Sequence, residues 1–241
     1  MASSLFISDL HLSEDRPAAN ERFFSFVEKK APQAAALYIL GDLFEVWVGD
    51  DDPSAEKARI VAALRELTAR GVGCFIIHGN RDFLIGRDFC DRSGCRLLQD
   101  PVIAELDGER VLITHGDALC TDDHSYQELR SSVRTADWQR RFLALPFEVR
   151  DRFANKARAG SKAHIERTAP QIQDVNPAAV ELAFRTAYVH RIIHGHTHRP
   201  GIHNTVVDGQ PAQRIVLGAW YEEGSYLVYE NGRYDLRTLP R

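Results

Sequence analysis

Metal-ligand side chains recur in five short groups along the chain: Asp9-Leu10-His11, Gly41-Asp42, Gly79-Asn80-Arg81-Asp82, His115-Gly116-Asp117 and His194-Gly195-His196-Thr197-His198. Carboxylate, imidazole and amide oxygen together suit a borderline or hard divalent cation such as Mn²⁺, Fe²⁺, Zn²⁺ or Co²⁺. No thiolate belongs to any group, which argues against a structural zinc cage. A carboxylate has two oxygens, so Asp42 can bridge a pair of cations, and two ions about 3.5–4 Å apart supply the chemistry for in-line attack of water on phosphorus. Each group alone has an ordinary reading: a turn for Gly41-Asp42 or Asn80, a hydrogen-bonded core histidine for His115. Five in order, each just after an apolar run, have no ordinary structural explanation.

The runs that must position them are short and rich in β-branched residues. Residues 5–8, 36–40, 73–78, 110–114 and 191–194 read as buried strands. Residues 17–30 and 54–70 read as helices, the second with Ser54 as N-cap and Gly71 just past its end. Strands alternating with helices imply an α/β architecture, in which ligand sites form at the carboxyl ends of strands. Further on, 202–207, 213–217, 225–229 and 234–239 read as short strands. Asp208-Gly209 and Asn231-Gly232 turns join them into a meander of hairpins. Residues 122–189 contain no convincing strand and read as helices broken near Pro146 and Pro170, a helical cap inserted into a single domain spanning 1–241.

The chain of 241 residues is 44% hydrophobic, enough for a substantial core, and its net charge of −4 gives no reason to expect nucleic-acid binding. The charge is uneven: from Arg130 to Arg167 there are ten Lys/Arg and four Asp/Glu, a local excess of six positive charges. Four cysteines without a C-x-x-C pair fit a reduced, cytosolic setting. No signal peptide is read at the start, and nothing approaches the roughly 18 apolar residues of a membrane span.

The ordered set Asp9-x-His11, Gly41-Asp42, Gly79-Asn80, His115 and Gly195-His196-x-His198 resembles the calcineurin-like metallophosphoesterase superfamily over essentially the whole chain. The resemblance implies an α/β (α+β) fold, a double β-sheet sandwich flanked by helices. By position, one metal would take Asp9, His11 and His198, the other Asn80, His115 and His196, with Asp42 bridging. The superfamily usually carries Gly-Asn-His where this chain has Gly79-Asn80-Arg81. That histidine helps protonate an alkoxide leaving group. A phosphate leaving group, with a second pKa of about 6, needs less help. A planar guanidinium suits phosphate oxygens, so Arg81 tilts the substrate toward a pyrophosphate and would act as a catalytic charge clamp. The other reading simply pairs Arg81 with Asp82.

Longer segments at 38–45, 47–53, 78–84, 115–123, 194–200 and 216–220 look like the UDP-2,3-diacylglucosamine diphosphatase family of lipid A biosynthesis. That resemblance implies two Mn²⁺ per chain and hydrolysis of UDP-2,3-diacylglucosamine at the α-phosphorus, giving UMP and 2,3-diacylglucosamine 1-phosphate (lipid X). The substrate contacts it implies are Asn80, Arg81, Asp123, Tyr126, Arg158, Ser161 and His196. The family's Asn and Lys beyond this serine are replaced by Ile165 and Thr168, with His164 or Arg167 as stand-ins. In the cap, Trp138, Phe142, Leu143, Leu145, Phe147, Val149 and Phe153 interleave with Arg140, Arg141, Arg150, Arg152, Lys156 and Arg158. Such a surface can shelter acyl chains and lie on an anionic membrane, here the cytoplasmic face of the inner membrane. An amphipathic helical pair packed on the core is the other reading. A soluble metallophosphoesterase acting on nucleotides or phosphoproteins would share the metal site without needing the shelter. A binding module that had lost its metals would not keep every ligand. No obligate protein partner is implied.

Overall fold

In a computed structural model, which describes residues 3–167, 172, 174–221 and 223–239 and leaves aside the side chains of 161–167, two mixed sheets stack face to face between helices. The first has the order β11-β10-β1-β2-β3-β4, with β1 Ser4–Ile7, β2 Ala36–Leu40, β3 Gly73–Ile77, β4 Arg96–Leu97, β10 Ser225–Glu230 and β11 Arg233–Thr238. The second has the order β5-β6-β7-β9-β8, with β5 Val102–Leu106, β6 Glu109–Ile113, β7 Arg191–His194, β8 Gly201–Val207 and β9 Gln210–Val216. The expected double-sheet sandwich flanked by helices is the fold that forms.

Period-two alternation explains why the central strands read as continuous apolar runs. Phe6, Leu40 and Ile77 point inward to meet Val111, Ile113, Ile193 and Ile215 of the other sheet. Their neighbours Leu5, Ile7, Leu37, Ile39 and Ile76 point outward onto α1 (Pro17–Lys29) and α2 (Ala55–Ala69) through Phe23, Phe26, Ile60 and Leu64. On the far side, Leu112, Ile192 and Ala212 pack against Val180 and Phe184 of α7 (Pro177–Ala187). Burial on both faces removes the polar alternation that a one-sided strand would show.

The turn residues behave as their chemistry dictates. Asp208-Gly209 and Asn231-Gly232 both take positive φ, the conformation of a tight two-residue hairpin. They do not form one meander, however. The β8–β9 hairpin completes the second sheet and β10–β11 the first. The chain crosses between layers through the buried Leu217 and Trp220.

The helical stretch divides in two. α7 covers the second sheet, whereas α5 (Ala136–Leu143) and α6 (Phe147–Arg167) join the first sheet's outer cluster through Trp138, Phe142, Phe147 and Ala154. Arg150, which the sequence suggests as a surface cation, is 1% exposed. Its guanidinium donates to the carbonyls of Val48 and Leu145 and to the Asp51 carboxylate, fastening α6 to the core. An Arg150→Met substitution leaves these acceptors unsatisfied, at about 1–3 kcal/mol for each buried one. The expected outcome is a lower urea midpoint, with hydrogen exchange in 136–160 accelerating more than in β1–β3.

Candidate metal centre

β1, β2 and β3 run parallel, as do β6 and β7, so the turns that follow these strands gather at one edge of the sandwich. Backbone bonds sew the turns together: Asp9 N to Gly41 O (3.2 Å), His11 N to Asp42 O (3.0 Å) and Gly195 N to His115 O (2.9 Å). Two glycines allow the approach. A Cβ at Gly79 would lie 2.1 Å from Asp42 Oδ1, and one at Gly195 would lie 2.2 Å from Asp9 Oδ2. Five of the side chains delivered here sit on left-handed backbone: Asp9 (φ 56°), His11 (50°), Asp42 (52°), His196 (66°) and His198 (56°). Such residues cost on the order of 1–3 kcal/mol each and persist where the surroundings enforce them.

All seven expected ligands converge. Ligand atoms of Asp9, His11 and His198 lie within 4.8 Å of one another, and so do those of Asp9, Asp42 and His115. Asn80 Oδ1 is 3.0 Å from both His115 Nε2 and His196 Nδ1. His194, in the same motif, turns away: its Nδ1 lies 2.8 Å from the Gly195 carbonyl.

The contacts bring acceptor atoms unusually close together. His115 Nδ1 sits 2.8 Å from the Leu40 carbonyl and must donate its proton there. A proton on Nε2 would bond Asn80 Oδ1 at 3.0 Å and face Asp42 Oδ1 at 3.8 Å; without it, the Nε2 lone pair confronts both oxygens. His11 Nε2 faces His198 Nε2 at 3.3 Å, where only one of the two can donate. Asp9 Oδ1 is buried and lacks an aligned hydrogen bond, although His198 Nε2 is 3.3 Å away. Acceptors crowded around these ring nitrogens favour positive charge among them, which a proton or a divalent cation can supply, and imidazole, carboxylate and amide oxygen together fit divalent metal.

Protonation equilibria tell the same story. Burial opposes charge on His115, but the carboxylates of Asp42, Asp9, Asp117 and Asp100 outweigh it and push the imidazole up to about 9. Burial, with His115 beside it, lowers His196 to about 4. Burial would raise Asp9, yet the His198, His115 and His11 rings hold it well below the usual carboxylate range.

Three further carboxylates support the cluster without belonging to the ligand set. Asp82 is fully buried and accepts from the backbone N–H of Gly79 (2.8 Å), Leu43 (2.7 Å) and Asp42 (3.3 Å). It thus clamps the β2 and β3 turns rather than pairing with Arg81. Burial and the nearby Asp42 raise it to about 6. Glu45 Oε2 stands 3.1 Å from His11 Nδ1 without an aligned hydrogen bond, in the position of an outer carboxylate that could orient that imidazole toward a metal. Asp117 accepts from Tyr126 Oη (2.5 Å) and Arg130 Nε (2.8 Å), with Arg134 Nη2 at 3.6 Å. These three side chains recur every fourth residue on α4 (His124–Val133) and just beyond, so one buried carboxylate docks the helix beside the site. Asp82 and Asp117 lie two residues beyond Asn80 and His115; that spacing was the available signal.

The expected substrate residues are placed as follows. Arg81 Nε is buried without a partner, and Arg81 makes no ion pair among the described residues. Tyr126 stacks on His196 with ring centroids 5.9 Å apart. Arg158 Nη1 lies 3.8 Å from Glu45 Oε1. Asp123 caps α4 by accepting from Tyr126 N at 3.1 Å. The side chains of Ser161, His164, Ile165 and Arg167, and Thr168 altogether, lie outside the described residues. Asn80, Arg81, Tyr126 and Arg158 line a cleft of about 170 Å³ whose remaining wall is largely apolar: Val46, Trp47, Phe83, Leu129, Trp138, Phe142 and Phe153.

The family model described as calcineurin-like phosphoesterase matches residues 3–200. The chain belongs to that family and is a metal-dependent phosphoester hydrolase. It is 51% identical over 241 residues to a protein of Aeromonas salmonicida (strain A449) named UDP-2,3-diacylglucosamine hydrolase, covering 99% of this chain and 94% of that one. It is 49% identical over 238 residues to a protein of the same name from Enterobacter sp. (strain 638), covering 99% of each. A solved archaeal phosphodiesterase matches in fold, with a TM-score of 0.51 and 14% identity over 98% of this chain and 99% of that one.

Asp42→Asn keeps the shape but removes one carboxylate from the converging set. It should lower metal content, measured by elemental analysis, and hydrolysis by at least about a hundredfold. Metal requires the neutral imidazole that His115, raised to about 9, does not offer at neutral pH. Loading the metal-free protein should therefore release protons, and affinity should rise by about tenfold per proton displaced for each pH unit between 7 and 8. A pH-independent dissociation constant would contradict this.

Proposed function

We propose that the chain is a two-manganese pyrophosphatase that cleaves UDP-2,3-diacylglucosamine at the α-phosphorus, yielding UMP and 2,3-diacylglucosamine 1-phosphate. Asp9, His11 and His198 would hold one ion and Asn80, His115 and His196 the other, with Asp42 shared. Such a pair polarises phosphoryl oxygens and makes water acidic enough to attack near neutral pH.

The observation that carries the reading is the setting of Arg81. It is a guanidinium that makes no ion pair among the described residues, its charge reaching Glu45 only electrostatically, and it is placed where the polar cluster opens into an apolar cleft. A cation there clamps phosphate oxygens as charge builds on the departing sugar phosphate, which needs no proton from the protein. Arg158 supplies a second cation in the same cleft, and its contact with Glu45 at 3.8 Å is loose enough to exchange for phosphate. Asn80 turns Oδ1 toward the imidazoles, leaving Nδ2 to donate. Asp123 fixes the first turn of α4 and so the Tyr126 ring, which backs His196. Ser161 completes the proposed contacts. Phe83, Trp138, Phe142 and Phe153 form the wall against which acyl chains would lie. The names of the relatives point to the same substrate.

Among the described residues no helix is long and apolar enough to cross a membrane. Leu143, Leu145, Val149 and Phe153 are nevertheless 37–51% exposed, close in sequence to exposed Arg140, Arg141 and Arg152. We place this face against the cytoplasmic leaflet of the inner membrane as a peripheral contact.

With Mn²⁺ and the acylated UDP-sugar in ¹⁸O-water, UMP should form carrying the label. Label in the sugar phosphate would refute attack at the α-phosphorus, and no UMP at all would sink the reading. Arg81→Ala should lower kcat by about 10²–10³ with little change in melting temperature, if it stabilises charge in the transition state. Replacing Arg140, Arg141 and Arg152 by Gln should weaken binding to anionic liposomes, most visibly at low salt, where screening is least.

A further inference from the structure

On the side of the second sheet away from the first lies a groove of about 450 Å³, bounded by α7 and the β8–β9 hairpin. Val180, Phe184 and Val207 give it an apolar wall; Arg214, His203 and Thr205 give it a polar one. Arg214 and His203 are directly cross-strand neighbours. Arg214 is half-buried and donates to His194 Nε2 at 3.0 Å. That imidazole commits its other nitrogen to the Gly195 carbonyl, so it meets Arg214 as a neutral acceptor and adds no counter-charge of its own; the opposing charge that reaches it is that of Asp174, which acts on Arg214 without forming an ion pair with it. The rim carboxylates are engaged elsewhere: Asp174 with Arg199 and Glu181 with Arg185. No ion pair reaches Arg214 among the described residues. A half-buried cation with no directly paired carboxylate is costly, and a guanidinium has five donors, of which one is committed to His194.

We propose that this groove binds a small monocarboxylate bearing an apolar group, with the carboxylate on Arg214 and the apolar part against Val180, Phe184 and Val207. A single planar fork matches one carboxylate. A phosphate dianion is disfavoured, because one guanidinium would have to hold it beside Asp174 and Glu181. The lining residues are separate from those of the cleft around Arg81, so the inference stands independently of the substrate assigned above.

Equilibrium dialysis of radiolabelled butyrate against the manganese-loaded chain tests it, with butyramide as neutral competitor and inorganic phosphate as dianion. Saturable butyrate binding is expected, which butyramide fails to displace and phosphate displaces only weakly. Arg214→Gln should weaken binding by about tenfold or more, the loss of one charge-assisted pair. Thr205→Glu, an exposed position, leaves Arg214 and its bond to His194 in place and should weaken binding as strongly by repulsion. Arg81→Ala should bind butyrate as the unaltered chain does. Binding that survives either groove substitution, that is lost in Arg81→Ala, or that butyramide displaces as well as butyrate does, overturns the proposal, as does no saturable binding.

Discussion

Negative and lone-pair-bearing groups forced together inside a protein must be compensated, and this structure is arranged around that necessity. Asp9, Asp42, Asp82 and Asp117 are all at most 2% exposed, so solvent cannot quench them. Asp82 is satisfied by backbone N–H groups, and Asp117 meets Tyr126 and two arginines through Oδ2 while its Oδ1 stays buried without a hydrogen bond. Asp9 and Asp42 are left facing imidazoles whose free nitrogens point back at oxygen. The first two carboxylates are structural clamps, the last two an invitation to metal. The left-handed backbone at five of the converging residues shows that the fold accepts strain to keep the invitation open.

From this polar knot the surroundings grade into hydrocarbon within one cleft. α4 is held at the junction chiefly through Asp117, because the helix itself buries no residue among those described. α5 and α6 bring the aromatic wall formed by Trp138, Phe142 and Phe153, and Arg150 pins that wall to the core from beneath. Charge recognition and apolar shelter are thus built by different devices, a carboxylate tether for one and a buried guanidinium for the other.

Much of this was legible in the sequence because burial on both faces turns the central strands into apolar runs, and each run ends in its own ligand group. The hairpins at Asp208-Gly209 and Asn231-Gly232 were legible because αL turns demand those residues. What escaped did so for physical reasons. β5 is half-exposed and only weakly apolar, although the Asp107-Gly108 turn that follows it carried the same hairpin signal. Strand partnership is long-range, so nothing local told that the last two hairpins serve different sheets. Arg150 looks like any surface cation until its carbonyl partners, distant in sequence, are known. The convergence of the seven candidate ligand side chains follows from parallel strands sharing one end. The roles of Asp82, Glu45 and Asp117 depend on which backbone amides and rings fold back onto them.

One consequence concerns the order of assembly on the ribosome. β1, which leads into Asp9 and His11, is flanked by β2 on one side and β10 on the other, and Trp220 N–H closes onto the Asp9 carbonyl at 3.0 Å. A nascent polypeptide can therefore pair β1 with β2 early, but must leave its other margin bare until Ser225–Glu230 has emerged. Through most of translation the turn carrying Asp9 and His11 can be held from one flank only. The setting of Asp9 is therefore completed only when the last hairpin closes on β1.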